Sequence, residues 1–356
     1  MAVNIWKQQL DELWEVGCPE EKSAFLEHLQ GAEDPDLIEP LVDLLEVEKD
    51  RALKERILIV LTQLVPATRY IRIDRMLRSP DPFVRNGIVE ILKKSQQSLE
   101  QFLSKLAEDP DKDVRKFVID ALSQENTPAV IEIIRNRLVD TDINIVYTAV
   151  EYLGNFRDEG CVERVEGFLL SPRNIMLTCS SLVALSKIGI SPRSSQIVAM
   201  YGDMDNPMVI FPFLKYLAVF GLPEDLAYVE AMLRRRPETM LKEIVDAIIG
   251  IISQHQLGEL PESLREVLLE LGETLTNHAD RYEINKLMAR LEQDDSHSLE
   301  RVREMLSETD VMVLLSAVEI LGNIGEESDI ERLEELASES ESDELLEAIG
   351  DAVMKI

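Results

Sequence analysis

Aromatic residues are scarce: Phe, Trp and Tyr make up 5% of the 356 residues. Sheets lean on aromatic and β-branched side chains, so this share argues against a β-rich fold and is ordinary for a helical one. Cysteine is scarcer still. Cys18, Cys161 and Cys179 are odd in number and scattered, and no two stand at metal-ligand spacing. That pattern points to a reducing compartment and not to a disulfide framework. No run of about 18 apolar residues occurs, so no membrane span is expected. The opening MAVNIWKQQLDELW sets charges among its apolar residues, which argues against a signal peptide. The expected location is cytoplasmic. His28, His255, His278 and His297 lie far apart, and no HExxH, P-loop, GxGxxG after a strand or GxSxG is present. No catalytic, cofactor-binding or metal residue is therefore assigned, no cofactor is expected, and the chain reads as a non-enzyme. Basic residues are also short, 37 Lys and Arg against 68 Asp and Glu, for a net charge of −31. A chain this acidic repels nucleic-acid phosphate and anionic membrane, so neither is an expected partner.

What the chain does have is a period. Val84, Ile88, Ile91 and Leu92 form one helical face, with Asp81 three residues ahead of Val84. The same face recurs from Leu53, Val114, Ile145, Leu177, Val209, Leu241, Val313 and Leu345. Neighbouring anchors stand 30 to 32 residues apart, except for a gap of 72 between Leu241 and Val313. Between anchors lies a second amphipathic segment, such as Pro35 to Glu46, Gln97 to Glu108, Cys161 to Leu170 and Asp329 to Ser338. Two helices per period near 31 residues predict an all-α fold, a right-handed α-α superhelix of about eleven helical hairpins. An Asp three residues before an anchor caps the second helix by accepting from its free N–H groups. Several second helices run into glycine (Gly154, Gly189, Gly221, Gly322), read as left-handed stops. Pro212 falls inside one second helix and predicts a kink.

The chain reads as a single array over 1–356. Residues 1–31 form a divergent N-terminal capping hairpin, 254–298 a longer irregular repeat, and 327–356 a C-terminal capping hairpin. The polar stretches at either side of the irregular repeat are either a hinge or a pair of long surface loops.

The segments Asp81-Pro82-Phe83-Val84-Arg85 and Asp111-Lys112-Asp113-Val114-Arg115 resemble HEAT repeats, in particular the short PBS-lyase HEAT-like type. The resemblance implies ladders of Asp and Arg between neighbouring repeats. Asp recurs at Asp50, Asp81, Asp111, Asp142 and Asp310. The Arg position, however, reads Arg85 and Arg115, then Val146, Thr178 and Ile210, then Lys242. The ladder is thus expected to lapse in the middle. What the resemblance implies about function is a platform for other proteins; the alternative is an accessory or lyase-type protein handling a chromophore or other small ligand.

Positions two and six after each anchor should face away from the core, on the concave side. There, the central repeats bring Tyr147, Glu151, Cys179, Val183, Phe211 and Lys215. An exposed apolar strip of this kind, with aromatic anchors and a charged rim, marks a protein-binding site; the competing reading packs these side chains between repeats. The stretch Asp205 to Gly221 has the highest aromatic density in the chain. A second, weaker candidate is a basic island at Arg69, Arg72, Arg75 and Arg78, against which stands simple ion pairing with nearby acids. The expected partner is another protein, and the residues leave open whether copies of the chain associate.

Overall fold

The computed structural model describes residues 5–32, 34–64, 76–94, 100–235, 240–275, 280, 283–284, 287–288, 296–307, 311–340 and 342–356. Among the described residues there is no strand. Contacts divide the chain into two units, Met1–Cys161 and Val162–Ile356.

The first unit holds α1 (Ile5–Val16), α2 (Pro19–His28), α3 (Ile38–Val47), α4 (Arg51–Leu64), α5 (Pro82–Lys94), α6 (Glu100–Leu106), α7 (Lys112–Leu122), α8 (Pro128–Asn136) and α9 (Ile143–Phe156). Helices α2, α4, α5, α7 and α9 stack in one row; α1 packs on α3 and α6 on α8 in the other. The second unit holds α10 (Val162–Leu170), α11 (Ile175–Ile188), α12 (Ser194–Tyr201), α13 (Pro207–Phe220), α14 (Leu226–Arg235), α15 (Leu241–His255), α16 (Glu262–Thr274), α17 (Ser296–Met305), α18 (Val311–Ile324), α19 (Glu327–Glu339) and α20 (Asp343–Lys355). There α11, α13 and α15 stack, as do α18 and α20. Nine hairpins are described through both helices, and α5 and α16 each represent one more. The whole is an all-α solenoid of stacked hairpins.

The period is the core. All nine anchors, from Leu53 to Leu345, are buried, each adding about 1.5–3 kcal/mol on removal from water. Caps place the helix starts. The carboxylates of Asp50, Asp81, Asp111 and Asp142 each accept from the backbone N–H two residues on, at 2.8–2.9 Å. In the second unit the amide oxygens of Asn174 and Asn206 do the same at 2.8 and 3.0 Å, and the Ser342 hydroxyl accepts from Leu345.

The polar ladder differs from the expected one. Capping occupies one oxygen of each Asp, and arginine goes instead to the Asp two residues earlier. Arg115 forms a two-pronged pair with Asp140, 2.8 Å on each prong, and Arg78 pairs with Asp109. Lysine takes the capping carboxylate's other oxygen, as Lys112 does at Asp142 (3.0 Å) and Lys54 at Asp81. Where Val146 and Thr178 replace the second-helix arginine, they are buried. In the first unit the pairing moves to the first helix, where Arg135 holds Asp158 at 2.7 and 3.1 Å.

Of the four glycines read as stops, only Gly189 takes the left-handed conformation, at φ +79°. At the end of α9 the left-handed residue is Arg157, and Gly154 lies within the helix. Gly221 is extended. Glycine inside a second helix instead permits close approach of the next: a Cβ at Gly250 would lie 2.2 Å from the Ala218 carbonyl oxygen on α13. Gly250→Val should therefore destabilise the protein by at least about 2 kcal/mol through overpacking. Urea unfolding checks this; an unchanged midpoint would contradict the close crossing of α13 and α15.

Candidate functional site

The outward side of a second helix is built by difference. Anchors and their partners at plus four, seven and eight turn inward, which leaves plus two and plus six on the opposite side. On α11 these are Cys179 and Val183, both half-buried, and on α13 Phe211 and Lys215, both exposed. On α9, in the first unit, Tyr147 is half-buried and Glu151 exposed. On α15 the pattern breaks, because Ala247 is buried.

In the second unit, α11 and α13 are direct neighbours, so the structure brings Cys179, Val183, Phe211 and Lys215 onto one helix pair. Lys215 lies with its ammonium 4.4 Å from the centre of the Phe211 ring, which orients both side chains. Phe211 keeps 37% of its surface exposed.

Cys179 has a structural duty that its spacing did not show. α13 runs through Pro212 without interruption. Proline has no N–H to offer the carbonyl four residues back, here that of Met208. The Cys179 thiol takes that place, its Sγ 3.2 Å from the Met208 oxygen. Burial pushes the Cys179 thiol pKa up, which keeps the proton on sulfur as this bond requires.

Four apolar residues on the same two helices escaped the plus-two and plus-six pattern. Ile175 and Met176 open α11, Met208 opens α13, and all three are exposed, Met208 by 55%. Ile210 lies half-buried beside them. Next to this surface, between the N-terminal ends of α13 and α15, an open groove is lined by the apolar Met204, Pro207, Ile210, Met232, Met240 and Ile244 and by the charged Asp205 and Arg235. The sequence carried a signal for this: Met176, Met208 and Met240 each stand one residue before an anchor, 32 residues apart.

Beneath the surface a buried polar network ties two consecutive hairpins of the second unit together through the loop that joins them. Glu166 of α10 accepts from the Ser191 hydroxyl and the Arg193 N–H, both at 2.8 Å, and from Arg193 Nε at 2.7 Å. The Ser191 hydroxyl lies 2.6 Å from the hydroxyl of Tyr216 on α13. Burial pushes the Glu166 carboxyl up, but the bonds from Arg193 and Ser191 outweigh it and hold the group below the usual carboxylate range.

Of the basic island, one arginine is described. Arg78 is engaged by Asp109; Arg69, Arg72 and Arg75 lie outside the described residues. At the end of α14, Arg234 pairs with Glu230 at 3.0 Å and Arg235 with Asp203 at 3.9 Å. Among the described residues no group of three or more His, Cys, Asp or Glu is arranged to hold a metal ion, and no helix is long and apolar enough to cross a membrane.

Because the folded-state pKa of Glu166 is lowered, its contribution is fully present above its unfolded value of about 4.3 and fades as pH falls below it. Glu166→Gln should cost about 1–3 kcal/mol at pH 7 and flatten the loss of stability between pH 6 and pH 3; an unfolding series as steep as wild type would exclude the network's role. Cys179→Ala should cost about 0.5–1 kcal/mol by removing the donor to the Met208 carbonyl, and Cys179→Ser should recover most of it, both read from thermal unfolding.

Compared with known proteins, residues 71–146 and 99–186 match a family model described as HEAT repeats. Two crystal structures of importin beta, one in a polyethylene glycol condition and one in an ammonium sulfate condition, superpose with TM-scores of 0.62 and 0.61 at 12% identity. Each match covers 99% of this chain, which spans 60% and 59% of the importin beta chains. None of the curated proteins compared with the sequence matches it.

Proposed function

For this chain, a HEAT-repeat protein, we propose a non-catalytic role as a protein-binding scaffold or adaptor that works through the outward face of its second helices. The observation that carries the reading is the apolar surface on α11 and α13. Ile175, Met176, Met208 and Phe211 each leave a third to a half of their area in water, on the side that the core does not need. Single exposed apolar residues are ordinary; a cluster on two packed helices is a docking surface. Phe211, steadied by Lys215, is the aromatic anchor. Tyr147 and Glu151 hold the equivalent outward positions on the last helix of the first unit. In a HEAT array this face lines the concave side, so a partner segment would lie along it.

A cytoplasmic location belongs to this reading, supported by three free cysteines. The narrower likeness to PBS-lyase HEAT-like repeats rests on the period of 30 to 32 residues and carries no lyase activity with it.

The test is affinity capture from the native cytosol with quantitative mass spectrometry, wild type beside Phe211→Glu. Phe211 is too exposed for the substitution to unfold α13, and circular dichroism verifies that. Partners held by wild type should fall at least tenfold in the variant. Equal recovery by both proteins would remove the α11–α13 face from the proposal; a coloured preparation that loses its ligand in the variant would replace a protein partner with a small one.

A further inference from the structure

We propose that the α11–α13 surface is built to receive an acidic amphipathic segment of a partner, a charge preference opposite to the one the chain's net charge suggests. The inference rests on the scaffold reading and names the chemistry of its partner.

The two helices that carry the apolar surface hold no acid, and the one carboxylate lining the adjoining groove, Asp205, shares it with Arg235. One residue in five of the whole chain is Asp or Glu, yet none occurs from Gly167 to Gly202. Neither α11 nor α13 contains a carboxylate, while α11 carries Lys187 and α13 carries Lys215. Residues 171–242 hold 8 Lys and Arg against 6 Asp and Glu; the other 284 residues hold 29 against 62. A stretch of net +2 thus sits in a remainder of net −33.

The caps show that this is not a by-product of folding. Every described second helix of the first unit from α4 on is capped by aspartate, whose charge also favours the helix dipole. At α11 and α13 the cap is Asn174 and Asn206, with the same bond to the same backbone position. The hydrogen bond is kept and the charge is dropped, at both ends that border Ile175, Met176 and Met208. Stability gains nothing from that exchange. The plus-six position changes in the same sense: Glu90, Asp120 and Glu151 give way to Val183 and Lys215.

A −31 chain repels an acidic partner over most of its surface. Here Arg173 and Asp205 stand beside the two caps and offset each other, and the charge carried on the outward face of the pair is Lys215. Among the described residues it makes no ion pair and is held only by the Phe211 ring. A basic partner would meet Lys215 with no carboxylate on either helix to answer it. Half of the chain's 12 methionines fall between Met176 and Met240, which gives the apolar side of an incoming helix an adaptable surface.

The test uses the full chain and two fluorescein-labelled synthetic helices of 18 residues, alike in their Leu and Phe positions, one with a Glu polar face and one with Lys. Fluorescence anisotropy gives affinities for wild type, Phe211→Glu and Lys215→Glu, and site binding is the part lost in Phe211→Glu. That subtraction removes any loose attraction of the Lys peptide to the acidic remainder. The Glu peptide should show site binding that weakens at least tenfold in Lys215→Glu and declines with added salt. Site binding by the Lys peptide that equals or exceeds it would overturn the charge preference while leaving the protein-binding reading in place. No site binding by either peptide would overturn the inference as well; the scaffold reading is judged separately, by capture of native partners. Sedimentation velocity closes the remaining route: a wild-type dimer that Phe211→Glu dissociates would make the occupant a second copy, and the inference would fall.

Discussion

A helical hairpin of about thirty residues cannot hide its own apolar stripe; it does so only by lying against the next hairpin. Everything regular in this chain follows from that constraint. The anchors from Leu53 to Leu345 recur because each must meet the hairpin before and after it, and all nine are buried. The caps recur because each second helix has to begin at the same height to present its anchor. The constraint acts on one side of each helix, so the opposite side is left free to vary. That freedom is where function can be written without touching the fold.

The polar contacts show how much latitude the constraint leaves. An Asp–Arg ladder is one way of fixing the spacing between hairpins, and the first unit uses it at Arg115–Asp140 and Arg78–Asp109. The second unit solves the same problem around α10, α11 and α13 with Glu166, Ser191, Arg193 and Tyr216. The two arrangements share their physics. A desolvated carboxylate is surrounded by donors until its charged form is held more firmly than in water. They share no sequence motif, because the donors come from different positions of the repeat. The resemblance to HEAT repeats marks where the second-helix arginine is missing and could not foresee what stands in for it.

Legibility followed the same line. Buried positions are dictated by period, so the second helices, their anchors and the count of hairpins could be read from spacing alone. Outward positions could be placed but not weighed. Cys179 reads as a groove residue from its plus-two position, and only the structure shows its thiol engaged with the Met208 carbonyl that Pro212 leaves open. The same pairing explains why the proline does not end α13. Met176 and Met208 were passed over because one residue before an anchor is a boundary, where exposure depends on how the incoming loop runs. Gly154 shows the reverse error: a glycine near a helix end suggests a stop, yet it lies inside α9, and Arg157 takes the left-handed turn.

The exchange of aspartate for asparagine at the caps bears on how such a surface arises. A cap is under selection for its hydrogen bond, which either residue can make at nearly equal strength. Charge at that position is then nearly neutral to the fold and visible to anything that docks beside it. Asn174 and Asn206 lie on consecutive second helices, and both flank exposed apolar residues. If the caps merely drifted between equivalent residues, the exchange would have no reason to coincide with a 36-residue stretch free of acid, with Lys215 in place of a carboxylate and with the chain's densest run of methionine. The surface of a solenoid this acidic repels other acidic surfaces. Lifting that repulsion over one helix pair, while keeping the buried anchors and the capping hydrogen bonds, is a means of marking a single place on a repetitive molecule as different from the rest.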